Sequence, residues 1–100
     1  MKNEVSIVDL AGALALPLIS ELFAMNGNLD ELKVLFHQLN LLYENNCHSL
    51  AFDIIYDLFR KTRLEIPYAF YEMIETTQDK RSFVGEFLAD FQEILSELSC

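Results

Sequence analysis

Apolar residues recur at three- and four-residue intervals through almost the whole chain, and no stretch alternates apolar with polar for long enough to suggest a half-buried strand. This period constrains the fold more than any other feature. The chain has only three glycines and two prolines, and Gly27 and Pro67 fall where a helix would stop or start. One hundred residues suit a single domain. The expected architecture is therefore an all-α domain spanning residues 1–100, an antiparallel bundle of four to five helices with short loops.

The first expected helix covers about residues 6–25. Ser6 and Asp9 resemble a capping pair, Asn26-Gly27 is a stop, and Pro17 should kink the helix or divide it in two. Its apolar residues lie on nearly all sides, as in a buried or interface helix. The second opens at Asn28 with Glu31 as capping-box partner, and carries Leu32, Leu35, Phe36, Leu39, Leu42 and Tyr43 as a stripe. Val34 and Leu41 lie off that stripe, so this helix is either central or bears an exposed apolar strip. Ser49 is the expected cap of the third, whose core face is Ala51, Ile54, Ile55, Leu58 and Phe59 and whose last turn is basic. Pro67 marks a short fourth helix, followed by a polar loop over 76–81. The fifth, 82–98, sets Phe83, Phe87, Leu88, Phe91, Ile94, Leu95 and Leu98 on one face.

Charge narrows the function. Sixteen Asp and Glu against seven Lys and Arg leave a formal net charge of −9, which repels phosphate backbones and anionic lipid. Neither nucleic acid nor a membrane is an expected partner, whereas a basic protein surface is. An apolar content of 52% exceeds what a small core needs, leaving some for a partner surface. The apolar run 10–19 is too short to span a bilayer and follows no basic leader, so a cytoplasmic location is expected. Two cysteines, Cys47 and Cys100, read as free thiols in a reducing compartment.

Catalytic chemistry is hard to assemble. His37 has no nucleophile placed beside it, and His48 follows Cys47 directly with no third group to orient the pair, so both histidines read as surface or loop residues. The Cys and His residues lack zinc spacing, there is no Glu-x-x-His pair, and Gly12, Gly27 and Gly85 form no phosphate loop. No enzyme activity, metal or cofactor is expected.

Surface side chains remain. Glu86, Asp90, Glu93 and Glu97 line the outer face of the last helix, like charges that each cost a few tenths of a kcal/mol at this spacing. No Lys or Arg lies within 82–98 to relieve them. Asp53, Tyr56 and Asp57 form a second candidate face, an aromatic anchor between acids, and Glu72 and Glu75 add two more carboxylates. These acids are either ordinary solvated surface or a docking site for basic side chains.

Residues 43–77 read YENNCHSLAFDIIYDLFRKTRLEIPYAFYEMIETT. The steps Leu50-Ala51-Phe52-Asp53, Tyr56-Asp57-Leu58 and Ile66-Pro67 resemble the middle of small acidic helical immunity proteins from bacterial polymorphic and contact-dependent toxin systems, the Maf-type group especially. The resemblance implies an antidote that binds a toxin domain, such as a nuclease with a basic cleft, and blocks it. A phage-type inhibitor of a host nucleic-acid machine, of the anti-CRISPR kind, would use the same acidic physics. A helical adaptor that homodimerises through its apolar first helix is the alternative of a different class.

Overall fold

A computed structural model of the chain describes residues 7–62, 64–65 and 77–99. All regular structure among them is helical: α1 (Ile7–Asn26), α2 (Leu29–Glu44), α3 (His48–Lys61) and α4 (Thr77–Ser99). The short helix expected from Pro67 lies outside the described residues, as do Glu72 and Glu75.

Local chemistry sets most of the boundaries. Gly27 ends α1 at φ 62°, in the left-handed region open to glycine without strain. One residue on, the Asn28 side chain accepts the Asp30 N–H at 2.9 Å and caps α2. The α2–α3 turn is tight. Asn46 takes φ 63°, the Cys47 N–H donates to the Leu42 carbonyl at 2.8 Å, and the Asn45 amide donates to the Leu41 carbonyl at 2.7 Å. So little chain is used that α3 starts at His48, with Cys47 as its N-cap and no side chain capping it. The expected cap, Ser49, is already inside the helix.

Of the two expectations at Pro17, a kink or a division, division does not occur: α1 runs through it as one helix. The ring lies on the exposed side, while Leu14, Ala15, Leu18 and Ile19 on either side are buried and hold both halves to the core. In addition, α4 begins at Thr77 rather than near Ser82, because Gln78, Lys80 and Arg81 are good helix formers and Asp79 suits a helix start. Residues 77–81 of the polar stretch thus belong to α4, with the Lys80 ammonium 5.7 Å from the centre of the Phe52 ring.

The core forms around α4, on which α1, α2 and α3 all pack. Phe83, Val84, Phe87, Leu88, Phe91 and Leu95 of α4 are buried, together with Leu18 and Ile19 of α1, Leu39 of α2 and Ile55 and Phe59 of α3. Aromatic edges fix the register. Phe36 meets Phe91 edge-on at 5.3 Å, and Phe52 meets Phe83 at 5.4 Å. Phe36 lies opposite Phe91, and Tyr43 lies opposite Gly85, so α2 runs antiparallel to α4. Gly12 faces Asp90, and further along Leu16 and Phe23 share a hollow with Ile94 and Leu98, so α1 and α4 run in the same direction. None of the described helices is long and apolar enough to cross a membrane.

Candidate functional site

The seam between α1 and α4 brings together features that lie far apart in the chain. Gly12 lets the helices approach so closely that an added Cβ would sit 3.1 Å from the Asp90 carboxylate. From this contact a groove runs toward the C-terminal ends of both helices. Its first part, about 400 Å³, is bordered by Asp90, Glu93 and Glu97. Its second, about 220 Å³, has Ile19, Phe23 and Ile94 among its walls and Leu98 at its edge. Leu16 and Glu97 belong to both parts. Leu16 is 55% exposed and Leu98 40%, so the groove carries apolar side chains that the protein's own core does not cover.

The electrostatics of this end are one-sided. Among the described residues none of Glu86, Asp90, Glu93 and Glu97 makes an ion pair. The helix does contain Lys80 and Arg81, contrary to the expectation from 82–98 alone, but both lie at its opposite end. Neither α1 nor α4 has a basic residue in its last turn. The parallel packing also places the partial negative charges of both helix C-termini at the end where Glu93 and Glu97 stand. Glu93 and Glu97 are exposed, Glu86 and Asp90 half-buried.

The second candidate face is less open. Asp53 and Asp57 are exposed, but Asp57 is engaged by Lys61 at 3.2 Å, one helical turn on. Tyr56 is half-buried and packs against the core. This face belongs to α3, which meets the first half of α4 through Phe52 and Phe83, whereas the acidic groove lies along the second half. The structure therefore does not merge the two sets into one groove.

The residues considered for chemistry disperse. His37 is exposed on α2, and the Cys47 thiol, also exposed, donates to the Asn45 carbonyl at 3.6 Å. His48 corrects the expectation of a surface or loop residue. It is buried, with its ring 5.1 Å from that of Tyr43 and its Nδ1 without a hydrogen-bond partner among the described residues. The tight α2–α3 turn forces this position. No group of three or more His, Cys, Asp or Glu able to hold a metal occurs among the described residues.

Sequence reasoning missed Gly12 and Leu16. Both sit in an all-round apolar stretch where no period distinguishes an outward-facing residue from a buried one. Val34 and Leu41 were legible as a separate strip, and both are exposed, at 56% and 45%. No protein-family model, no characterised protein and no solved structure matches this chain.

Proposed function

We propose that this protein is a non-catalytic inhibitor of the immunity type, which binds a basic protein partner such as a nuclease toxin domain and covers it. The observation that carries this reading is the groove between α1 and α4, where three carboxylates without ion pairs among the described residues border exposed leucines. Like charges on neighbouring turns, added to two helix C-termini, disfavour the free protein, and a cationic partner relieves that cost. Charge supplies the rate of encounter and the choice of partner, while the apolar side chains supply contact area that lengthens the complex's lifetime. Asp53 and Tyr56 are proposed as peripheral contacts, with Asp57 weakened in that role by Lys61.

Homodimerisation through α1 has less support. Among the side chains described, most of the apolar surface of that helix is already buried, leaving Leu16 and Met25 as the large exposed ones. A phage-type inhibitor would use the same groove, and identification of the partner distinguishes the two.

Affinity capture with the purified protein, followed by binding measurements on charge-reversal variants, tests the reading. Glu93→Lys combined with Glu97→Lys is expected to weaken a basic partner by about 2 kcal/mol or more, mainly through association rate where the charges stay at the rim. Unchanged affinity in a folded double variant would reduce the acidic face to ordinary solvated surface.

A further inference from the structure

The α1–α4 groove combines two chemistries in one place. Leu16 and Leu98 stand exposed beside Ile19 and Ile94 in its second part. Its first part, at Gly12, is bordered by Asp90, Glu93 and Glu97, and Leu16 and Glu97 line both. A purely cationic ligand would leave the leucines in water, and a purely apolar one would desolvate carboxylates without pairing them. A second copy of this chain fits poorly, because it brings the same carboxylates and a net charge of −9 to the contact. Lysine and arginine can do both tasks, laying aliphatic stems over leucine while their charged ends reach acids at the rim.

We infer that the groove is a socket for a short amphipathic segment of the partner, with one or two apolar side chains flanked by Lys or Arg. This deepens the binding role proposed above and rests on it. The apolar side chains enter between Leu16 and Leu98, and the basic ones align with Asp90, Glu93 and Glu97. Because Gly12 presents no side chain, the Asp90 carboxylate lies directly against α1 at one end of the groove. Leu16, Ile94 and Glu97 line both parts, so leucine and carboxylate stand side by side along the socket.

Two synthetic peptides test this against the full chain. One places leucine and lysine at helical spacing; the other keeps every lysine and replaces each leucine with glutamine. The leucine–lysine peptide is expected to bind more tightly, with amide shifts in nuclear magnetic resonance concentrated at Leu16, Ile94 and Leu98. Leu16→Ser is expected to weaken that peptide about tenfold or more, the scale of losing a buried leucine contact, and to weaken the lysine–glutamine peptide much less, because only lysine stems touch Leu16 there. Leu16 is exposed, so circular dichroism should show the variant folded. Equal binding of both peptides, insensitive to Leu16→Ser but abolished by Glu93→Lys, would overturn the socket and leave the acidic-face reading standing. If neither substitution changes either peptide's affinity, both readings fall. A dimer seen by sedimentation without peptide, and dissociated by Leu16→Ser, would assign the groove to a second copy and overturn the inference.

Discussion

At the scale of single residues, the two packed glycines make opposite predictions from the same substitution. A Cβ on Gly85 would fall 2.7 Å from the Tyr43 hydroxyl, at the tip of a rigid ring half-buried against His48. Gly85→Ala is expected to destabilise by about 1–3 kcal/mol, because the ring must move as a unit. At Gly12 the obstacle is the half-exposed Asp90 carboxylate, 3.1 Å away, which can swing aside. Gly12→Ala should therefore be neutral or stabilising by up to about 1 kcal/mol, the helix-propensity gain. Urea unfolding of both variants checks the pair, and an equal loss in each would contradict this packing. His48 offers a further case, since its Nδ1 is buried without a partner among the described residues. His48→Phe keeps an aromatic edge toward Tyr43 and removes that polar atom, so the melting temperature should hold or rise. A clear fall would mean that the ring nitrogen has a role the core requires.

Helix ends govern the next scale. The Asn28 side chain caps α2 in an exposed position, so Asn28→Ala is expected to cost about 1 kcal/mol. Ser49 lies inside α3 and does not cap it, so Ser49→Ala should have little effect. Thermal melts of the two variants separate cap from bystander, and a larger loss at Ser49 would place the start of α3 wrongly. In α4 the charges are arranged against the helix dipole, with Lys80 and Arg81 near its start and Glu93 and Glu97 near its end. Glu93→Lys should stabilise the free protein by a few tenths of a kcal/mol while weakening a basic partner. Residues that raise stability when changed yet lower affinity mark a surface shaped by binding rather than by folding.

For the whole molecule, the net charge of −9 on one small domain implies self-repulsion that salt should screen. The melting temperature is expected to rise as sodium chloride increases from about 0.02 to 0.2 M, where the Debye length falls through the spacing of neighbouring surface charges. Association with a basic partner should slow over the same range. A melting temperature that falls with salt would show that attractive ion pairs dominate instead. Because α4 packs against each of the other described helices, its apolar face links the stability of the bundle to the geometry of the groove. The face that organises the fold and the acids that border the groove are two sides of one helix.

The local pattern was enough to read the helical class, the cap at Asn28, the stop at Gly27 and most of the core faces of α3 and α4, because each depends on neighbours within one or two turns. Phe52 and Val84, off the expected faces, are buried, and Leu98, expected on one, is 40% exposed. Val34 and Leu41 were legible as an off-stripe pair for the same reason. The C-terminal acids could be seen as a stripe, but nothing local tells a solvated stripe from a binding rim. Only tertiary packing decided that α1 runs parallel to α4, that Leu16 faces outward beside Glu97, and that Tyr56 leans on the core. It also decided that His48 is buried, since the ring packs on Tyr43 only once the α2–α3 turn has closed and the helices have met. The site depends on residues some eighty positions apart, Gly12 and Leu16 against Asp90 and Glu97, and local periodicity carries no information about which remote faces meet.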